Sequence, residues 1–89
     1  MNPANIAWSQ ISISTKMACG AREASHSDEG KTLTFKVGRA LTWVRVQYDE
    51  GADLYGVQLL KGRAATVKVN YHGIGAEELS ETIYGMVNK

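Results

Sequence analysis

Four runs of alternating polar and apolar residues constrain the fold of this chain more than any other sequence feature. The runs cover residues 32–37, 42–48, 53–60 and 65–71, and each is rich in the β-branched or aromatic side chains that strands favour. No more than four residues separate one run from the next, whereas a parallel crossover needs about a dozen or more. Neighbouring runs are therefore expected to pair antiparallel, and the sequence predicts a four-stranded antiparallel meander.

The last segment of the chain predicts a helix that covers one face of this meander. Residues 76–87 place Leu79, Ile83, Met86 and Val87 on one apolar stripe, which needs a large apolar surface to pack against. The alternation assigns the following residues to the covered face of the sheet: Leu33, Phe35, Val37, Val44, Val46, Tyr48, Tyr55, Val57, Leu59, Ala65, Val67, Val69 and Tyr71. The predicted fold is α+β, a single domain over 1–89 with helices on one face of the sheet.

The N-terminal segment is ambiguous between helix and strand. Asn2 suits an N-cap and Pro3 suits the first helical turn, but residues 10–15 alternate as a strand does. A short helix that ends near Ser12 is the favoured interpretation. Residues 20–31 are expected to form a loop, because they are rich in the glycine, serine and aspartate of turns.

Composition and charge exclude several classes of function. Ten Lys and Arg residues stand against nine Asp and Glu in 89 residues, so the chain is neither a strongly basic nucleic-acid coat nor a polyanion. The single cysteine, Cys19, excludes an internal disulfide and a cysteine-rich zinc module. No signal peptide or membrane span is expected, which predicts a cytoplasmic location and no membrane partner.

No residues are spaced for catalysis or for metal binding. Cys19, His26 and His72 stand at no metal-ligand spacing and in no nucleophile motif, and the scattered glycines form no phosphate-binding run. We therefore expect a protein that is not an enzyme and that uses no cofactor and no metal ion.

The uncovered face of the sheet is the first candidate binding surface. Trp43 beside Arg45 resembles an interface anchor, because both residue types are enriched at binding hot spots. The predicted partner-binding residues on this face or at its turns are Lys36, Arg39, Trp43, Arg45, Gln47 and Lys68. Cations lie among these residues, and no carboxylate is predicted on the face. Two plainer interpretations stay open: Trp43 covers Leu54 and Leu60 in a small cluster, and the cations are only solvated.

An acidic group is the second candidate binding surface. It consists of Asp49, Glu50 and Asp53 in one predicted turn, with Glu77, Glu78 and Glu81 on the last helix. Such a patch could compete for a basic nucleic-acid channel by imitating phosphate. A polar hairpin turn is the alternative interpretation of the first three residues.

Several short motifs resemble those of a group of small uncharacterised proteins from bacteriophages and mobile elements. The stretch 16–22, Lys-Met-Ala-Cys-Gly-Ala-Arg, is similar to a Met-x-Gly-Ala-Lys signature, although an extra residue stands between Met17 and Gly20. The strand pattern at 32–37, the triplet 53–55 and a terminal helix follow in the same order. The resemblance implies a phage context, in which small proteins without catalytic motifs often inhibit bacterial defence systems, as anti-CRISPR proteins do. It assigns no role to any residue.

The leading hypothesis is a non-enzymatic binding protein that inhibits a host defence complex, such as a CRISPR effector, by occluding a protein or nucleic-acid-binding surface. One alternative is a small nucleic-acid-binding accessory protein that uses the basic face of the sheet. Another is a structural phage component or homo-oligomer joined through a sheet edge or the uncovered face.

Overall fold

The described part of the chain folds as three helices and five strands in the order α1, α2, β1 to β5, α3. The structure is a computed structural model that describes residues 3–38 and 41–87. The helices are α1 (Pro3–Gln10), α2 (Ile13–Cys19) and α3 (Leu79–Val87). The strands are β1 (Arg22–Ser27), β2 (Thr32–Lys36), β3 (Thr42–Asp49), β4 (Leu54–Lys61) and β5 (Thr66–Ile74). Short 3₁₀ turns, Asp28–Gly30 and Ala76–Glu78, precede β2 and α3.

All five strands form one antiparallel sheet in the order β1-β2-β3-β4-β5. The predicted α+β class and the antiparallel meander are confirmed, but the predicted count of four strands is wrong. The fifth strand is β1, which falls in the segment predicted to be a loop. Every described side chain of β1 is exposed, so the strand carries no apolar alternation that a sequence pattern could reveal.

The N-terminal segment forms two helices. Helix α1 ends at Gln10, and Ser12 begins α2: its backbone is extended, and its Oγ accepts a 3.1 Å hydrogen bond from the Thr15 N–H as an N-cap. Gly20 ends α2 in the left-handed conformation, at φ 66°, which costs a glycine little. The predicted short helix that ends near Ser12 corresponds to α1, which ends at Gln10. The alternating pattern at 10–15 is the junction of two helices and not a strand.

The core lies between the three helices and one face of the sheet. The predicted core residues of β2 to β4 are confirmed: Leu33, Phe35, Val37, Val44, Val46, Tyr55, Val57 and Leu59 are buried and Tyr48 packs against them. The helices add Ala7, Ile11, Cys19, Leu79, Ile83 and Met86 to the same cluster. Trp8 of α1 packs edge-on against Phe35, with ring centroids 5.1 Å apart. Among the described residues no helix is long and apolar enough to cross a membrane.

The prediction of the inward face of β5 is partly wrong. A bulge opposite Leu59 and Leu60 changes the register, so that Val69 faces Leu59 while Val67 faces Leu60. Cross-strand partners share a face of the sheet. Val67 therefore lies on the same face as Leu60, away from the helices, and 44% of its surface is exposed.

Candidate functional site

Within residues 3–38 and 41–87, one face of the sheet carries no helix, and we call it the open face. The register places two rows of side chains across it. We call the first the tryptophan row, and it runs from β2 to β5 as Lys36, Trp43, Leu60 and Val67. We call the second the polar row, and it runs from β1 to β5 as Ser25, Thr34, Arg45, Gln58 and Asn70.

The tryptophan row contains a small apolar cluster outside the main core. Leu60 is only 2% exposed although it lies on the open face, and its direct cross-strand neighbours are Trp43 and Val67. Trp43 itself is half-buried. The interpretation in which Trp43 covers Leu60 fits this register. Leu54 is not part of the cluster, because it lies opposite Asp49, about 20 Å from Leu60 at about 3.3 Å per residue.

The open face carries a carboxylate that the sequence prediction missed. Glu23, in β1, places its Oε2 3.3 Å from the ammonium of Lys36. Glu23 lies at a bulge where the register of β1 shifts, and its φ of 53° is unusual for a residue with a side chain. The prediction that no carboxylate lies on this face is therefore wrong, and the charge of Lys36 is partly compensated.

The positive charge of Arg45 on the open face is not neutralised by an ion pair among the described residues. Its Nη1 donates a 3.3 Å hydrogen bond to Oε1 of Gln58, the residue directly opposite on β4. Within residues 3–38 and 41–87, no carboxylate forms an ion pair with this half-buried guanidinium. Arg45 is thus oriented by a neutral partner while its remaining donors stay available.

The other predicted residues of this surface lie further from the two rows. Gln47 is exposed and lies opposite Thr32 and Gly56, two residues beyond Arg45 on β3. Lys68 is exposed at the bulge of β5, between the partners of Leu59 and Leu60. Arg39 lies outside the described residues. The structure therefore brings Lys36, Trp43 and Arg45 together and places Gln47 and Lys68 at the margins.

The acidic turn between β3 and β4 has its own intramolecular partners. Asp49 Oδ1 accepts hydrogen bonds from the backbone N–H groups of Gly51 and Ala52, at 3.1 and 3.4 Å. Glu50 forms a 3.1 Å ion pair with Lys31. The Tyr48 hydroxyl donates a 2.5 Å hydrogen bond to Asp53, and this bond is the main reason that the pKa of Tyr48 rises to about 12.

These contacts support the plainer interpretation of Asp49, Glu50 and Asp53 as a polar hairpin turn. The turn is also remote from the tryptophan row, because Trp43 and Asp49 lie about 20 Å apart along β3. The basic and acidic candidate residues are therefore two separate groups and not one site.

Residues with catalytic chemistry are not brought together in the part of the chain that the structure describes. Cys19 is 3% exposed, and burial raises the pKa of its thiol, so it is held in the unreactive protonated form. His26 and His72 are exposed on β1 and β5, at opposite edges of the sheet. No group of three His, Cys, Asp or Glu side chains among the described residues could hold a metal ion.

An exposed apolar pair on α2 was also missed by the sequence analysis. Ile13 and Met17 are 75% and 77% exposed, and they lie one helical turn apart on the same side of the helix. Their spacing of four residues was the available signal, but it can be interpreted only once residues 13–19 are known to be helical.

Comparisons with known proteins add no relative to this description. No protein-family model, no curated protein and no solved structure matches the chain. The resemblance to small phage proteins therefore stays a prediction, and the functional argument depends on the geometry of the open face.

Proposed function

We propose that this protein is a non-enzymatic binding protein that docks onto a macromolecular partner through the open face and blocks the surface it covers. The observation that carries the proposal is that the half-buried Trp43 and the half-buried Arg45 lie two residues apart on β3, side by side on the open face. Tryptophan and arginine are enriched among the few residues that carry most of the binding energy at protein interfaces.

The packing of the tryptophan row supports this role for Trp43. Because Trp43 is half-buried and has Leu60 and Lys36 as its direct cross-strand neighbours, we expect the orientation of its indole to be limited before any partner arrives. A side chain that is already ordered loses less conformational entropy on binding. The apolar cluster around Leu60 therefore fits both roles of Trp43: a structural cover for Leu60 and an ordered anchor for a partner.

The charges of the face favour a protein partner over a nucleic acid. Lys36 is paired with Glu23, so one cation of the open face is already compensated within the chain. Affinity for nucleic acid depends mainly on neutralising many phosphates at once. Arg45 with a few dispersed lysines is better suited to a small number of hydrogen bonds at an interface.

The resemblance to small phage proteins supplies the class of partner. We propose a bacterial defence complex, such as a CRISPR effector, whose working surface the open face occludes. Steric occlusion requires no catalytic group and no cofactor, only a rigid surface of sufficient area.

The experiment is capture of candidate effector complexes by the tagged protein, followed by measurement of Kd for the wild type and two charge-reversal variants. Arg45→Glu changes the open face, and we expect it to weaken binding at least tenfold, as loss of a hot-spot residue does. Glu50→Lys reverses a charge in the exposed acidic turn that follows β3, and we expect the affinity to stay within about twofold. The Kd values are compared only for variants whose Tm equals that of the wild type, so that unfolding does not account for a loss of affinity.

Binding that Arg45→Glu leaves intact would refute the open face as the docking surface. Capture that disappears after nuclease treatment and weakens steeply with salt would instead support the nucleic-acid alternative.

A further inference from the structure

A groove runs between the outer edge of β5 and helix α3, on the side of the sheet opposite the open face. Its volume is about 310 Å³, and its lining residues are Tyr71, Ile74, Glu81, Thr82, Gly85 and Met86. Tyr71 faces Val57 of the core and Ile74 faces Tyr55, so both belong to the helix side of the sheet. The groove has the size of a site that takes one or two side chains.

Gly85 has no evident structural reason to be a glycine. It lies inside α3 with helical backbone, where glycine is less stable than alanine. A Cβ atom built on it would meet nothing within 4 Å. The fold would therefore accept a side chain here, and the effect of the glycine is to keep the space above α3 open.

The edge of β5 supplies backbone hydrogen-bonding groups beside this space. β5 is the last strand of the sheet, and its outer edge pairs with no other strand among the described residues. An extended segment that adds to such an edge forms main-chain hydrogen bonds and presents alternate side chains to the same side. Here that side includes the groove.

The dimensions and the charge of the groove define the segment that fits. Glu81 and Gly85 are four residues apart, about 6 Å along the helix axis. Alternate side chains of a strand are separated by about 6.6 Å, so one could lie over Gly85 while the next reaches Glu81. Glu81 is exposed, has no ion-pair partner among residues 3–38 and 41–87, and is the only charged residue that lines the groove.

We propose that the groove between β5 and α3 binds a short extended peptide segment of a partner, which places an apolar side chain over Gly85 and a lysine or arginine, two residues away, against Glu81. A short peptide suits this edge better than a second copy of β5. Bulges on either side of residues 69–71 leave only a short regular stretch for pairing. The proposal uses the surface opposite the open face and does not depend on the proposed function.

The test is an NMR titration of the ¹⁵N-labelled protein with capped hexapeptides of threonine that carry one leucine and one lysine. Two versions, with the lysine two positions before or after the leucine, cover both strand directions. We expect shifts confined to β5 and α3 and a Kd below about 1 mM for one version. The matched peptide with glutamate in place of lysine is expected to bind at least about tenfold more weakly.

Variants of α3 separate binding from folding. Gly85→Ala is expected to raise Tm by about 4 °C or more, because alanine is the better helix former. Gly85→Leu fills the groove and is expected to weaken peptide binding at least about tenfold without lowering Tm. Glu81→Lys is expected to reverse the preference between the lysine and glutamate peptides, while the control Glu78→Gln, outside the groove lining, leaves it unchanged.

Three results would overturn the proposal. The first is the absence of any chemical-shift change with both lysine peptides at about 2 mM, a concentration above the largest Kd expected. The second is peptide binding that Gly85→Leu does not weaken. The third is a dimer in sedimentation equilibrium that Gly85→Leu dissociates, since the occupant would then be a second copy of this chain. Arg45→Glu should not change peptide binding, so failure here is distinguishable from failure of the open face.

Discussion

The hydrogen bond from the Tyr48 hydroxyl to Asp53 links the side chains at the two ends of the β3–β4 turn. It raises the pKa of Tyr48 to about 12 from a usual value of 10.0, with smaller contributions from burial and from nearby negative charge. The folded state therefore retains a proton that the unfolded state loses at a lower pH. The stabilisation is fully present below about pH 10 and is lost as the pH rises through about 12.

We predict that Asp53→Asn lowers the pKa of Tyr48 towards its usual value of 10.0. Asparagine tolerates the positive φ of 53° at this position, so the turn should be preserved. The measurement is a titration of the tyrosine ring carbon signals by NMR. Glu50→Gln is the control, because Glu50 makes the smallest contribution to the shift. Equal titration of Tyr48 in the wild type and in Asp53→Asn would contradict the prediction.

Ala65 is an alanine in a conformation that favours glycine, with φ 51° in the turn before β5. The left-handed conformation costs a residue with a side chain about 1–2 kcal/mol, whereas glycine adopts it freely. The extra freedom that glycine gives the unfolded chain offsets about 0.4–1 kcal/mol of this gain.

We predict that Ala65→Gly increases the free energy of unfolding by about 0.5 kcal/mol, as measured by urea denaturation. Ala64→Gly is the matched control, since Ala64 precedes it in the same exposed turn and does not have a positive φ. That variant should lose about 0.4–1 kcal/mol. Similar losses in the two variants would show that backbone strain at Ala65 is negligible.

Helix α2 is too short to be stable alone and depends on its ends and its packing. At its start, Ser12 Oγ caps the Thr15 N–H, and the Ser12 N–H donates a 2.7 Å hydrogen bond to Ser80 Oγ of α3. The second of these bonds joins the start of α2 to α3, between residues that are 68 positions apart in the sequence. The cap is therefore both a local and a tertiary contact.

We predict that Ser12→Ala destabilises the protein by about 1 kcal/mol, because the Thr15 N–H loses its partner. Ser14→Ala, inside the same helix and exposed, should be neutral or slightly stabilising because alanine is the better helix former. Chemical denaturation measures both variants. Amide hydrogen exchange should accelerate first in α2; uniform acceleration would argue against a local role of the cap.

The sheet shows which elements a pattern can predict. β2, β3 and β4 are each buried on one face, so their alternation predicted the core residues and placed every end of these strands to within one residue. β1 is exposed throughout and left no such pattern. β5 alternates in sequence, but its bulge moved Val67 to the open face, which only the pairing with β4 reveals.

At the scale of the whole molecule, the accessibility of Cys19 measures how firmly the helices pack on the sheet. It belongs to the same buried cluster as the strands and α3, and it is 3% exposed. Burial raises the pKa of its thiol, which lowers the fraction of reactive thiolate in the folded state. A thiol reagent can therefore reach it only after the helices open.

We predict that modification of Cys19 by a disulfide reagent is at least about 100-fold slower in the native protein than in urea. The rate should rise with denaturant in step with global unfolding if α2 opens only with the whole core. Ser12→Ala provides the comparison, because weakening the start of α2 should accelerate labelling. Rapid labelling of the native wild-type protein would show that α2 is not held on the core.

The candidate site was predictable in part. Trp43, Arg45 and Lys36 were assigned to one surface because β2 and β3 alternate cleanly, and the register brings them together. Glu23 beside Lys36 was not predictable, because it depends on the pairing of β1, which carries no apolar alternation. The interpretation in which Trp43 covers Leu60 was left open by the sequence, and only the register shows that the two residues are direct neighbours. The ion pair between Lys31 and Glu50 of the acidic turn was not predictable either, because it joins two segments that are separate in the sequence.

By itself, the sequence determined the strands, the hairpin order and the core side of β2 to β4, because these follow from a two-residue period and short connections within one segment. Only the tertiary structure decided that the polar stretch β1 is a strand, where the bulges fall, and which charges face one another. The physical reason is that register and pairing are set by hydrogen bonds and contacts between segments, which no local pattern records.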